Sequence, residues 1–168
     1  MLVSLNDFGK TWPASIKHGR HTTSTTITKD FPLILCHGCW DVLHIGHIRH
    51  FRSALTFGAG FLVVTVTPDR FVNKGPDRPF FPAELRAEAV ASLVFVDYVA
   101  INLWPTAVET IKLLRPAFYV KGAENRGRES PGLLAEKEAV ESVGGKLVYT
   151  EELEFHSTDI LEKLKCLS

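Results

Sequence analysis

The sequence predicts a doubly wound α/β fold, in which a five-stranded parallel sheet carries helices on both faces. Short apolar runs alternate with segments of helical periodicity, the connections are short, and no internal repeat is present. The first run is continuously apolar, as is typical of a strand covered on both faces. In this architecture ligands bind at the carboxyl ends of the strands. The polar loops after the first, second and fourth strands are therefore predicted to form the site.

The first half of the domain contains clear elements. Strands are predicted at residues 32–36 and 61–67, where the apolar runs are bounded by polar or proline residues. Between them, apolar residues at helical spacing predict a helix over residues 44–60, with Gly58 as its carboxyl-terminal stop. A proline close to the first turn favours a second helix over residues 82–94.

The second half continues the alternation. Strands are predicted at 96–101, 117–122 and 146–150, and helices at 105–114, 130–143 and 157–167. The order of elements is Rossmann-like. Residues 1–30 lack periodicity and end in a Thr-rich stretch, so we expect a loosely ordered extension there and one domain over residues 31–168.

Composition excludes several classes of protein. The chain has 168 residues, about one domain, and 19 Lys and Arg residues balance 19 Asp and Glu residues. A zero net charge argues against nucleic acid or an anionic membrane as the main partner. No apolar run approaches the roughly 18 residues that span a bilayer, and the amino terminus lacks a signal-peptide core. We therefore expect a soluble, cytoplasmic protein.

The segment HGCWDVLHIGHIRH, residues 37–50, lies between the first strand and the first helix. Gly38 allows the backbone to approach a ligand, and the helix start offers unpaired amides for an anion. His44 and His47 share one face of the opening turn, where imidazoles can donate to phosphate oxygens as charge develops. Alternatively, these histidines only cap and pack the helix. We favour the anion site because Gly-x-x-Asp and His-x-Gly-His directly follow a buried strand.

Cys36 and Cys39 form a Cys-x-x-Cys pair that we interpret as structural. Cys36 belongs to the strand and the helix begins several residues later, so a redox role at a helix start is disfavoured. A zinc site would need two further ligands at metal spacing, which only the nearby histidines could supply. An odd total of three cysteines gives no disulfide framework.

Cations follow the second strand. Lys74 and Arg78 bracket a Gly-Pro turn in the loop at 73–79, and Arg86 lies on the next helix. Cations beside a phosphate site neutralise charge that develops during phosphoryl transfer. A solvated surface loop is the alternative for this segment taken alone.

Two later segments complete the set of candidates. Lys121 lies at the carboxyl end of the fourth strand, and Ser157 and Thr158 stand at the start of the last predicted helix. Ser and Thr there act as cap residues, and the same geometry makes a second anion-binding helix end.

Together these residues resemble the nucleotidyltransferase superfamily whose motif is Gly-x-Phe-Asp followed by His-x-Gly-His. The resemblance runs from about Leu33 to Leu164. It is strongest to the adenylyltransferase domain of ADP-heptose synthesis, through GCWDVLHIGHIRHF, KGPDRPFFP, RAEAVASL, VDYV, LRPAFYVKG and HSTDIL. The chain departs from that family at Trp40, where Phe is usual, and at INLWPTA, which replaces an acidic stretch.

The resemblance implies a role for each matching residue. The catalytic residues would be His44, His47 and Lys74, of which Lys74 holds triphosphate or the attacking phosphate with Arg78 beside it. The residues implied in nucleotide binding are Gly38, Cys39, Trp40, Asp41, His44, His47, Arg86, Lys121, Gly122, Ser157 and Thr158.

The implied reaction transfers a nucleotidyl group, AMP from ATP, to a heptose 1-phosphate with release of pyrophosphate. Mg²⁺ is expected, bound mainly through the triphosphate, and no protein metal site is predicted. Two alternatives stay open: a cytidylyltransferase that uses CTP and a polyol or glycerol phosphate, and a non-catalytic nucleotide-binding module. The resemblance is compatible with a homodimer, which nothing in the residues proves, and some relatives of this kind are fused to a sugar kinase domain.

Overall fold

A computed structural model describes residues 32–151. The strands are β1 Leu33–Gly38, β2 Phe61–Val66, β3 Tyr98–Ile101, β4 Phe118–Lys121 and β5 Lys146–Tyr149. The helices are α1 Ile45–Ala54, α2 Ala83–Ala91, α3 Val108–Leu114 and α4 Pro131–Ser142. The last predicted helix and the extension at 1–30 lie outside the described residues.

All neighbouring strands are parallel, in the order β3-β2-β1-β4-β5. The chain builds outward from β1 in one direction, then returns to β4 and builds in the other. The strand order therefore reverses between β1 and β4, which is where such sheets bind ligands. The predicted doubly wound, five-stranded parallel sheet is confirmed.

Alternate residues of β1 enter two different cores. Leu33 and Leu35 pack with residues of α3 and α4, whereas Ile34 and Cys36 pack with residues of α1 and α2. All four are at most 4% exposed. The sheet is thus covered on both faces, which explains why its first strand reads as a continuous apolar run.

Polar side chains explain where several elements differ from their predicted bounds. Strand β3 begins at Tyr98 because the Asp97 carboxylate, instead of a strand carbonyl, accepts from Leu62 N–H at 2.7 Å. Helix α3 begins only at Val108, since the Asn102 amide donates to two carbonyls of the preceding turn at 2.7 and 2.9 Å. No helix within residues 32–151 is long and apolar enough to cross a membrane.

Candidate active site

The turn after β1 is shaped by the contact between Gly38 and Trp40. A side chain at Gly38 would place its Cβ atom 2.8 Å from the indole, so only glycine fits under the ring. Trp40 itself has φ of 53°, in the left-handed region, and its Nε1–H donates to the Thr65 carbonyl at 3.0 Å. The indole therefore ties the β1–α1 turn to strand β2.

The same indole packs against the first two turns of α1. Its ring centroid lies 5.3 Å from that of His47, 5.5 Å from that of His50 and 4.6 Å from that of Phe51. Trp40 is 9% exposed and belongs to the core beneath the helix. The larger ring thus fills an apolar position and fixes the amino-terminal end of α1.

His44 and His47 stack face to face at the start of α1, with ring centroids 3.8 Å apart. His44 is the N-cap residue, and its Nδ1 atom accepts from Gly46 N–H at 3.1 Å. A neutral His44 ring then carries its proton on Nε2. Burial lowers the pKa of His47 to about 3, and the charges of His44, Lys74 and His50 act in the same direction. His47 is therefore neutral at physiological pH.

The buried Asp41 carboxylate fixes the loop that follows β2. It accepts from the backbone N–H of Phe80 at 2.8 Å and of Phe81 at 3.1 Å, and it pairs with Arg78 at 2.9 Å. Asp41 is fully buried and the Arg78 side chain is 9% exposed. Asp41 thus holds this loop against the β1–α1 turn.

Arg86 is a buried clamp between three segments of the same edge. From α2 it donates to the carbonyls of Cys39, Thr67 and Phe81, the last two at 2.8 Å, and it pairs with Asp69 at 2.5 Å. It is 1% exposed. The structure therefore assigns Arg86 to holding the loops in place, and its predicted contact with phosphate stays a prediction.

Lys74 is an exposed cation next to the histidines. Its charge lowers the pKa of His47, although burial lowers it more. It also opposes the burial that raises the pKa of the Cys39 thiol. Within residues 32–151 Lys74 forms no ion pair, so its ammonium is available to an anion at this edge.

Lys121 and Gly122 lie at the end of β4, across the point where the strand order reverses. Lys121 pairs at 2.9 Å with Glu136 of α4, a residue that the sequence analysis did not select. The one feature of the sequence that points to Glu136 is the position of a carboxylate on the apolar face of α4, between Leu133 and Val140. At Gly122 a Cβ atom would fall 2.0 Å from the Glu124 carboxylate, so a larger residue there would require the Glu124 side chain to move.

Two further histidines, also not selected, link strand ends through threonine hydroxyls. His37 lies 2.9 Å from Thr65 Oγ1, and His50 lies 3.1 Å from Thr150 Oγ1. Burial lowers the pKa of each histidine to about 4, and the Lys121 charge adds to the effect. Both rings are neutral links in the scaffold of the site.

Other predicted features are placed as follows. Cys36 is fully buried and burial raises the pKa of its thiol far above the usual value, which disfavours a reactive thiolate. No group of three His, Cys, Asp or Glu residues in the described part of the chain could hold a metal ion. Ser157 and Thr158 lie outside the described residues, and their role stays a prediction.

The structure therefore brings the residues after β1, β2 and β4 to one edge of the sheet. Two stacked imidazoles, the amino terminus of α1 and an exposed lysine face this edge. Such a set can stabilise negative charge that grows on oxygens around a phosphorus atom.

Comparisons with known proteins identify relatives of this chain. The chain is 36% identical over 141 residues to the bifunctional protein HldE of Geotalea uraniireducens, which covers 82% of this chain and 28% of that protein. It is 39% identical over 118 residues to the bifunctional protein HldE of a Nitratiruptor species, covering 68% and 25%. The chain thus spans about a quarter of the length of these relatives.

A solved structure shares the fold, and a family model matches most of the chain. The lipopolysaccharide core biosynthesis protein from Thermoplasma volcanium shares the fold, with a TM-score of 0.61 and 21% identity over 73% of this chain and 98% of that one. The model of the family described as cytidylyltransferase-like matches residues 35–163. Because this match covers more than half of the chain, the protein belongs to the cytidylyltransferase-like family of nucleotidyltransferases.

Proposed function

We propose that this protein transfers AMP from ATP to a heptose 1-phosphate and releases pyrophosphate. The observation that carries the proposal is the stacked pair of His44 and His47 at the start of α1, with the Lys74 ammonium close by. A binding module needs an anion site but has no need of groups that act on a transition state.

In the proposed reaction a phosphate oxygen of the sugar attacks the α-phosphorus of ATP. The new O–P bond forms as the bond between the α-phosphorus and the bridging oxygen breaks, and the electron pair leaves with pyrophosphate. The two histidines donate hydrogen bonds to the oxygens on which charge increases, and Lys74 neutralises charge on the triphosphate or the acceptor. Positioning and charge stabilisation suffice, so no covalent enzyme intermediate is needed.

The scaffold around these groups supports the same mechanism. Asp41 and Arg86 hold the loops after β1 and β2 together, so Lys74 is carried on a segment fastened close to it at Arg78 and Phe81. A catalytic group held in this way loses little entropy when the substrates bind.

The choice of ATP and heptose 1-phosphate rests on sequence resemblance. The strings GCWDVLHIGHIRHF, KGPDRPFFP and LRPAFYVKG resemble the adenylyltransferase domain of ADP-heptose synthesis. The curated relatives at 36% and 39% identity carry the name HldE. CTP with a polyol or glycerol phosphate is the second pair to test, because the matching family model is cytidylyltransferase-like.

Magnesium belongs to the proposal as part of the substrate. The described residues offer no group of three ligating side chains for a metal. We propose that Mg²⁺ is bound mainly through the oxygens of the triphosphate, as is usual for an ion that prefers phosphate and water ligands.

Pyrophosphate release tests the proposal directly. ATP, CTP, GTP and UTP are each combined with a panel of sugar 1-phosphates and with glycerol 3-phosphate, in the presence of Mg²⁺. We expect turnover with ATP and heptose 1-phosphate. Turnover with CTP alone would show that the substrates are CTP and its acceptor instead of ATP and heptose 1-phosphate. Triphosphate binding without any turnover would favour a non-catalytic nucleotide-binding module.

Substitution of the two histidines tests the mechanism. His44→Ala and His47→Ala should each reduce kcat by about 100-fold or more, as loss of a transition-state donor does. The matched control is Arg49→Ala, an exposed position of the same helix, which should retain near-normal turnover. Near-normal activity of both histidine variants would contradict the catalytic assignment.

A further inference from the structure

A buried ion pair lies on the opposite face of the sheet from the stacked histidines. Lys121, at the carboxyl end of β4, points its ammonium to Glu136 of α4, with 2.9 Å between Nζ and Oε2. The side chains are 16% and 8% exposed, so the pair is largely withdrawn from solvent. The Lys121 charge still reaches His37 and His50, which shows how close the pair lies to the reversal point of the sheet.

Glu136 is held in place independently of Lys121. Its Oε1 atom accepts from the Ala107 backbone N–H at 3.1 Å, and its Oε2 atom accepts from the Tyr119 hydroxyl at 2.9 Å. Burial raises the pKa of Glu136, but the Lys121 charge and the hydrogen bonds from Lys121 and Ala107 outweigh this and hold it below its usual range. The carboxylate is therefore ionised at physiological pH and fixed in position.

This arrangement changes what Lys121 can offer a ligand. A phosphate placed beside the ammonium would also be repelled by the buried carboxylate, which lies 2.9 Å from that ammonium, and this repulsion offsets a large part of the attraction. Hydrogen-bonding capacity is not cancelled, because an ammonium has three N–H donors. Glu136 is the single carboxylate with which Lys121 pairs within residues 32–151. Donors therefore remain at Lys121 although its charge is compensated.

Lys74, at the same edge of the sheet, has the opposite character. It is exposed and forms no ion pair in the part of the chain that the structure describes. Its charge is uncompensated and suits a polyphosphate. The edge therefore holds one lysine suited to charge and one suited to hydrogen bonding.

We propose that Glu136 is a positioning residue that makes Lys121 a charge-compensated hydrogen-bond donor, which recognises an uncharged hydroxyl or carbonyl group of a substrate. This inference rests on the proposed function, in which each substrate has an anionic and an uncharged part. The uncharged group belongs either to the nucleoside of the triphosphate or to the acceptor sugar. In both cases Lys121 binds a group of the substrate that inorganic phosphate or tripolyphosphate does not have.

Calorimetric binding to the full chain tests the inference with two matched pairs of ligands. The pairs are ATP against tripolyphosphate and heptose 1-phosphate against inorganic phosphate. Lys121→Met should weaken binding of ATP or of heptose 1-phosphate by about tenfold, which corresponds to the loss of one good hydrogen bond. The affinity for the other ligand of that pair, tripolyphosphate or inorganic phosphate, should change by less than about twofold. Loss with ATP identifies the nucleoside as the source, and loss with heptose 1-phosphate identifies the sugar.

Glu136→Gln supplies the complementary arm, with the size of the side chain retained. The uncompensated Lys121 should then attract polyanions, so tripolyphosphate binds severalfold tighter at low salt and its affinity falls more steeply with ionic strength. A purely structural carboxylate would not produce this gain. Lys112→Met and Glu109→Gln are matched controls, because they change the same charges in an exposed ion pair on α3 and should alter neither ratio.

Three results would overturn the inference. The first is a Lys121→Met variant that binds all four ligands with unchanged affinity. The second is a Lys121→Met variant whose affinity for tripolyphosphate falls as much as its affinity for ATP. The third is a Glu136→Gln variant that binds every ligand equally more weakly. Thermal melting checks that each variant is folded. If Lys121→Met does not fold, the affinities of Glu136→Gln alone test the inference. Failure of the proposed function is read separately, as wild-type protein that binds ATP but releases no pyrophosphate.

Discussion

Replacing Arg86 by Met should destabilise the fold because Arg86 holds three loops of the site together. The substitution keeps an apolar stem of similar length but removes every donor. The carbonyls of Cys39, Thr67 and Phe81 then lose their partner, and Asp69 loses its ion pair.

The magnitude follows from counting these contacts. Each lost hydrogen bond to a carbonyl costs about 1 kcal/mol, or about 3 kcal/mol for the three together. The Asp69 side chain is 46% exposed, so its ion pair adds at most about 1 kcal/mol after solvent screening. For a chain of this size, about 3 to 4 kcal/mol lowers Tm by about 10 °C.

Thermal unfolding followed by circular dichroism measures this effect. Arg52→Met is the matched control, because Arg52 is exposed on α1 and its loss should change stability by less than about 0.5 kcal/mol. An Arg86→Met protein whose stability lies within about 1 kcal/mol of the wild type, yet which no longer binds ATP, would refute the structural role of Arg86. Arg86 would then act on the ligand instead.

Two further predictions concern the loop after β2 and the response to acid. Asp41→Asn should cost about 2 kcal/mol, since an amide cannot accept from all the donors that the carboxylate binds, and should speed hydrogen exchange in that loop. Asp77→Asn, in the exposed part of the same loop, should change neither. Burial lowers the pKa of His37 and His50 to about 4 and that of His47 to about 3. The unfolded chain takes up these protons below about pH 6.5 and the folded chain does not, so acid favours unfolding. The free energy of unfolding, measured by denaturant titration, should fall by about 2 kcal/mol per histidine from pH 7 to pH 5, and it should fall correspondingly less in His50→Gln. A free energy of unfolding that does not change with pH would contradict this.

The fold could be predicted from sequence because burial on both sheet faces leaves a strong pattern. Strand β1 reads as an apolar run since its alternate residues enter separate cores, and the helices show apolar faces. The His-x-Gly-His motif was visible because its members are close in sequence. Element ends were less predictable, because side chains such as Asp97 and Asn102 replace backbone partners there.

The supporting contacts of the site could not be predicted from local pattern. Asp41 meets Phe80 across 39 residues and Arg86 meets Cys39 across 47, so no sequence window contains both partners. The left-handed conformation of Trp40 likewise depends on a tertiary contact, the bond of its indole to Thr65. Two of the backbone carbonyls that Arg86 binds are likewise distant in sequence, and its contact with phosphate stays a prediction.

The fate of the α-phosphorus tests the central claim most directly. ATP labelled with ³²P at the α position, and separately at the γ position, is incubated with the protein, Mg²⁺ and heptose 1-phosphate. The account predicts that the α label moves into the sugar product and that the γ label appears in pyrophosphate. A γ label in the sugar product, or both labels retained in ATP while it is bound, would contradict nucleotidyl transfer.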